Sequence, residues 1–551
     1  MQKSYNVLGK TLSIIWIGVL SVLITACGGG SKAPEHTKLI PKEAVMVLRL
    51  DIKQLTSKTI ALDKLASKEN LKEMGASDKE AEKSAELIKK FLDSGIDFLN
   101  KVYVFTDKLD VAKQGGTVGV VMAIDNEEKL VKFVKDDAAW KDTKKPEFKE
   151  EDKIKMAIFE GNKGILAWKG KVGVLLVKDG VGTADAKKLF SLKDNETLLG
   201  ANESFKDATT KAYDASVWID VEKASADNMQ ATMAMGMAGV SNKGTAFNLG
   251  FTFEKGKIVV DGDYTGNEEI NKLNDKIANE SVKGSVLKNI PIEEASVGFS
   301  FSLNLEGLFA YLKEKSLLEQ VEKSLKELNL TSDDIAKALS GDVVGVMGKV
   351  NFDGKRNEMP EFVISLGVKD KKAFEKMIEA VSGKQKGFLS KKDNVYEAVG
   401  GMGFLVMKDD AAYITLTPSL KDGINKGESK LKGEFKEQAS KYASVVYTNK
   451  SLVDSYIASK IYKKSAFGQV YGDKFPVEGG IIKVQKMKNK KSQTEIQVTM
   501  QDKSQNALLV LIEMAKKADE VQKLERKKWE RDFDMDEPKA EEDEPAVLEE
   551  E

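Results

Sequence analysis

Four short patterns recur in the same order in the two halves of this 551-residue chain, and an internal repeat constrains the possible fold more than any other feature. Ile40-Pro41-Lys42-Glu43-Ala44 is echoed by Ile290-Pro291-Ile292-Glu293-Glu294-Ala295. Val118–Ile124 with the polar start Asp125-Asn126-Glu127 parallels Phe362–Val368 with Lys369-Asp370-Lys371. Gly164–Lys169 and Val172–Lys178 answer Gly403–Lys408 and Ala412–Thr417, and Ser204-Phe205-Lys206 with Ala215–Ile219 answers Glu434-Phe435-Lys436 with Ala443–Tyr447. The offset drifts from 250 at Ile40/Ile290 to 228 at Ala215/Ala443, as loop insertions and deletions produce.

Each pattern has a local physical meaning. Val118–Ile124 and Phe362–Val368 read as strands, followed by Asn126 or Asp370 as helix caps and then by amphipathic helices. Breaks at Gly170-Lys171 and Asp409-Asp410 fall where hairpin turns belong. Further hairpins are expected at 247–253 with 257–264 and at 479–486 with 494–501. The predicted fold class is therefore α+β: two homologous repeats, 39–283 and 284–532, each a mainly antiparallel sheet of hairpins with helices on one face. Charged helices near 78–100 and 317–328 serve as outer cover, and helices at 268–278 and 504–531 close the halves. With 41% apolar and 31% charged residues, the chain has enough material for two cores.

Cys27 is the only cysteine. It follows a positive start (Lys3, Lys10), the apolar run Ile14–Ile24 and the small residues Thr25 and Ala26. That order reads as a lipoprotein signal over 1–26, after which Cys27 carries a diacylglyceryl group. The apolar run is too short and too polar for a spanning helix. The expected location is the cell envelope, lipid-anchored and at the outer membrane, with the membrane as partner through Cys27. Residues 27–38, opening Gly28-Gly29-Gly30-Ser31, read as a flexible tether, and 533–551 as a disordered acidic tail. From Asp532 to Glu551 eleven acids face Lys539, so the −1 of the whole chain hides +9 on the remainder. Acidic and basic residues interleave along that remainder, which reads as a mixed solvated surface. Nucleic acid is not an expected partner.

These features resemble an uncharacterised domain-of-unknown-function family of Bacteroidetes lipoproteins about 500 residues long. The resemblance rests on the signal cysteine, Ile40, Pro41 and Ala44 leading to Asp51, Lys101-Val102-Tyr103-Val104-Phe105, and the turn Leu339-Ser340-Gly341-Asp342. It implies an envelope location and transfers no activity or site residue.

The chemistry expected of the chain is correspondingly thin: no catalytic, cofactor-binding or metal residues are assigned. The one histidine, His36, falls in the tether, which removes zinc sets and His-activated nucleophiles from consideration. Gly400-Gly401-Met402-Gly403 enters a hairpin with no helix after it, which argues against a phosphate cradle. Trp168 and Trp218 sit in strand patterns where a core role is the default. Met229–Met237 holds four methionines at alternating or near-alternating positions; thioethers suit Cu(I), yet packing is the more ordinary use. The C-terminal helix is expected to pack on the second repeat through Leu508, Leu511, Ala515 and Ala518. The leading reading is a non-enzymatic binding or scaffolding module for an unidentified envelope protein or ligand. The alternative is a carboxylate-dependent hydrolase or sugar-active enzyme with its site between the repeats.

Overall fold

The computed structural model describes residues 33–534 apart from 59–66, 74–77, 98, 110–114, 137–139, 141–143, 227–239, 354–359 and 384–388. The strands of the first half are β1 (Met46–Asp51), β2 (Ile96–Asp97), β3 (Lys101–Thr106), β4 (Val118–Ile124), β5 (Glu147–Glu151), β6 (Ile154–Ile158), β7 (Gly164–Lys169), β8 (Val172–Val177), β9 (Ala215–Asp220), β10 (Ala246–Glu254) and β11 (Lys257–Thr265). Those of the second are β12 (Val297–Ser302), β13 (Leu339–Met347), β14 (Phe362–Val368), β15 (Leu389–Lys392), β16 (Val395–Ala398), β17 (Phe404–Met407), β18 (Ala411–Thr415), β19 (Ser444–Thr448), β20 (Val477–Val484) and β21 (Lys491–Met500).

Among the described residues every ladder is antiparallel. The order across the first half is β5-β6-β7-β8-β4-β3-β1-β9-β10-β11, with β2 continuing beyond β3 alongside β4. A β11·β21 ladder joins it to β21-β20-β19-β12-β13-β14-β18-β17-β16-β15. Among the described residues β5 and β15 each pair on one side only, so the ladders form one open sheet with two free edges. Read inward from each edge, the two series have the same order, and the four repeated sequence patterns lie on matching strands or directly beside them.

Local details match as well. Asn126 accepts from the Lys129 amide at 2.9 Å and Asp370 from the Ala373 amide at 2.9 Å. These are the expected caps of the helices Glu127–Lys135 and Lys371–Gly383. Asp51 and Asn304 cap helices at the ends of β1 and β12 in the same way. Phe205 packs edge-on to Trp218 at 5.5 Å, and Phe435 lies 6.1 Å from Tyr447. Both phenylalanines are fully buried, each contributing roughly 1.5–3 kcal/mol through removal of apolar area from water.

Helices cover both faces of the sheet, not one. In β3 and β4 nearly every residue is buried, which requires apolar cover above and below. Tyr103, Phe105 and Val121 meet Ala186, Leu189 and Phe205 on one side, while Val102, Val104 and Val120 meet Leu130, Phe133 and Val134 on the other. The second half repeats this with Leu420, Ile424 and Phe435 on one face and Ala338 and Phe374 on the opposite face.

Two expectations need correction at the ends. Residues Glu35–Leu39 form a short 3-10 turn in which His36, Thr37 and Leu39 are buried, so His36 belongs to the body and not to a tether reaching residue 38. The C-terminal helix, Ala507–Asp534, lies over the seam rather than on the second half alone. Its Ala507, Leu508 and Val510 share a core with Phe253, Ile258 and Val260 of the first half and Met500 of the second. Met514 and Val521 continue the packed stripe, whereas Ala515 and Ala518 are exposed. Among the described residues no helix is long and apolar enough to cross a membrane.

Candidate functional site

The β11·β21 ladder pairs corresponding strands of the two halves. Ile258 faces Val498, Asp261 faces Glu495 and Tyr264 faces Ser492. The two acids therefore stand directly opposite each other near the centre of the seam, where like charges are destabilising. A pocket of about 280 Å³ opens there, lined by Lys211, Tyr213, Asp261, Asp263, Tyr442, Lys483 and Glu495 among others. Tyr213 and Tyr442 each lie two residues ahead of corresponding strands, β9 and β19.

Two of the carboxylates are countered directly: Lys211 pairs with Asp263, and Lys483 with Glu495 at 2.5 Å. Asp261 makes no direct ion pair among the described residues. Its carboxyl is held above the ordinary range by partial burial, and by Glu495 and Asp263 beside it, against the opposing pull of Lys211 and Lys483. The Tyr213 hydroxyl is pushed upward by burial and by Asp263 and Asp261. The lysine ammoniums of Lys211 and Lys483 lie 5.9 Å and 5.5 Å from the ring centres of Tyr213 and Tyr442.

The wall under Tyr213 is fixed from below by Arg49 of β1, which is 2% exposed. Its Nη1 donates to the carbonyls of Ala208 (3.1 Å), Thr209 (3.3 Å) and Lys211 (2.9 Å), and its Nη2 to that of Tyr213 (3.3 Å). The cation thus closes the C-terminal end of the helix Glu203–Thr210, where the carbonyl dipoles favour positive charge. Burial holds the guanidinium below its ordinary range. Buried Asp214 accepts from Lys58 and from the Phe253 amide at 2.6 Å each. Gly250 leaves room for the ring: a Cβ there would stand 2.2 Å from Tyr213.

This arrangement offers a small ligand one carboxylate without a direct cation, two ion pairs and two phenol rings. Among the described residues no three His, Cys, Asp or Glu side chains converge as a metal site. His36 is far from surface chemistry. Its Nε2 donates to the Lys101 carbonyl at 2.7 Å, its ring meets Tyr103 edge-on, and burial lowers its pKa to about 4.

Trp168 and Trp218 are core residues, 0% and 1% exposed. Gly400 and Gly401 belong to a single turn, Val399–Gly401, leading to β17. Cys27 and Met229–Met237 lie outside the described residues. The pocket residues carried no sequence signal of their own, because Asp261 and Glu495 are brought together only by the seam. The available clue was that their two hairpins occupied matching places in the halves.

Fold and site together define a two-half antiparallel α+β protein with a polar pocket at its seam. The chain belongs to the family described as domain of unknown function DUF4836, whose model matches residues 36–453. The match takes in the whole first half and the second as far as the helix after β19. No curated protein matches. Two crystal forms, I and IV, of TP0453 are similar at 10% and 9% identity with TM-scores of 0.23 and 0.24. Each alignment covers 43% of this chain and 81% of the other. Likeness at that level carries no conclusion.

Proposed function

We propose that this chain is a lipid-anchored protein of the cell envelope, held at the outer membrane through Cys27, whose body is a non-enzymatic binding module made from two homologous repeats. The repeat reading is supported by four sequence patterns that fall on, or directly beside, corresponding strands. The binding reading is carried by the seam pocket, where Asp263 and Glu495 are engaged by lysines and Asp261 is left for a ligand. Its occupant is a small polar molecule with a cationic or hydrogen-donating group, or a side chain of an envelope partner presenting one. A thermal-shift screen of the purified chain against small amines and polar metabolites tests this. Hits abolished by Asp261→Asn support the pocket; hits insensitive to that change remove it.

The anchor has its own test. Cys27→Ala is expected to release the protein from the membrane fraction with the body still folded, and membrane retention overturns it. With the folded turn starting at Glu35, the eight residues from Cys27 to Pro34 span at most about 28 Å, which keeps the body close to the bilayer.

A second reading, a carboxylate-dependent hydrolase or sugar-active enzyme, is favoured by one observation: Asp261, with its raised pKa, faces Glu495 between the halves, as an acid beside a carboxylate would. Turnover of a glycan or ester panel, lost in both Asp261→Asn and Glu495→Gln, would establish it in place of the binding module.

A further inference from the structure

Between β19 and β20 the chain builds a compact lobe from the helices Lys450–Ala458, Lys460–Lys464 and Ala466–Tyr471. Serine caps separate them: Ser459 accepts from the Tyr462 amide and Ser465 from the Gly468 amide. The inside of the lobe is aromatic. Fully buried Tyr462 meets Tyr456 at 5.3 Å and Phe475 at 6.1 Å, and its hydroxyl donates to the Gly472 carbonyl at 3.0 Å. Ala466, Val470 and Tyr471 then pack against Met514, Val521 and Leu524 of the C-terminal helix. The lobe is a rigid platform.

Its outside is unusual in two respects. Ile461 is 60% exposed and Phe467 42% exposed, although the lobe has an apolar interior to receive such groups. Lys460, Lys463, Lys464 and Lys474 are also exposed, and none of the four makes an ion pair among the described residues. Neighbouring Lys450, by contrast, is engaged with Asp454 at 2.8 Å. Beside the lobe, the C-terminal helix beyond Leu524 is exposed and carries Arg526, Lys527, Lys528 and Trp529, the last 63% exposed.

Scattered exposed apolar residues are ordinary. Here they stand on a rigid platform, interleaved with uncountered lysines, next to a basic helix bearing an exposed tryptophan. A soluble acidic partner supplies the countercharge but no general medium for Ile461, Phe467 and Trp529. A bilayer interface supplies both: anionic headgroups for the ammoniums, and an interfacial layer for the apolar and indole groups. We propose that this lobe and the adjoining distal turns of the C-terminal helix form a peripheral contact surface for anionic lipid, separate from the Cys27 anchor.

Cosedimentation of the chain lacking residues 1–27, which carries neither the apolar run Ile14–Ile24 nor a lipid, isolates the lobe from the anchor. Binding is expected to phosphatidylglycerol-containing vesicles and not to pure phosphatidylcholine, weakening with salt. Neutralising three lysines (Lys460→Gln, Lys463→Gln, Lys464→Gln) is expected to lower binding about a hundredfold. The pair Ile461→Ser and Phe467→Ser is expected to lower it about tenfold. All changes are at exposed positions, and circular dichroism confirms the fold. Absence of binding to anionic vesicles, or equal binding by parent and both variants, overturns the proposal. Binding that appears only after removal of 535–551 assigns the surface to the acidic tail and overturns it as well.

Discussion

The two halves share a strand order and differ in how they hold their polar interiors. At one place in the lattice, Asp51 of β1 faces Lys101 of β3 in the first half, while Ser302 of β12 faces Asp342 of β13 in the second. The first is a 4.0 Å ion pair and the second a hydrogen bond of 2.5 Å from the Ser302 hydroxyl. Two residues earlier the contrast is larger. Arg49 ties four carbonyls together, where its counterpart Ser300 is a buried hydroxyl with no partner among the described residues. A shared backbone plan therefore tolerates opposite solutions at one place: a buried cation answered by four carbonyls, and a small hydroxyl whose desolvation costs far less than that of a charge.

The largest test of that contrast is Arg49→Ala set against Ser300→Ala. Losing the guanidinium strands four carbonyls and opens space under Tyr213, for a cost of about 3–5 kcal/mol. Losing the unpartnered Ser300 hydroxyl costs less than about 1 kcal/mol and can stabilise. Chemical denaturation checks both; similar costs would mean that the halves are not held differently.

Next comes pH. His36 belongs to the first half alone, and its pKa falls from 6.5 to about 4 on folding. The proton thus prefers the unfolded chain. The neutral ring's contribution is whole above pH 6.5 and is lost progressively as pH falls toward 4, reaching about 3 kcal/mol. His36→Gln retains a donor for the Lys101 carbonyl without the titration. Stability curves of the two proteins should converge in shape above pH 7 and separate below 6; parallel curves throughout would remove His36 from the account.

A smaller effect is expected at Asp342, which accepts from Ser302 and Ser340 at 2.5 and 2.6 Å. Asp342→Asn should destabilise by about 1–2 kcal/mol, and Ser302→Ala should make that change less costly in a double-mutant cycle. Additivity of the two would show that their contact is energetically idle.

The smallest effect lies on the seam, where the halves meet as equals. Asp261→Asn removes one of two facing acids and should stabilise by up to about 0.5 kcal/mol at neutral pH. Because folding raises the Asp261 pKa, its ionised form works against the fold at neutral pH, and that penalty fades as pH drops through the raised value. A loss of stability on Asp261→Asn would show instead that the carboxylate holds the seam together.

Much of this was legible locally. Strands such as Val118–Ile124 and Phe362–Val368, their caps Asn126 and Asp370, and the hairpin turns depend on neighbours in sequence, so periodicity and capping chemistry reveal them. Cover on both faces is not legible in the sequence, because strand patterns with few polar residues, such as β3, do not say what lies on each face. The burial of His36 is not legible either: a glycine-rich start suggests a free stretch to residue 38, whereas Leu39 and Ile40 draw the turn into the core.

The sequence by itself determined the main hairpin strands, the capped helices after them and the recurrence of both patterns, since periodicity, turn residues and caps are written within a few residues. Tertiary structure alone decided that β11 meets β21, that Asp261 faces Glu495, and that the C-terminal helix bridges the seam. Those contacts join residues more than 200 positions apart, and their selection depends on closing two cores around one sheet, an outcome that no local pattern encodes.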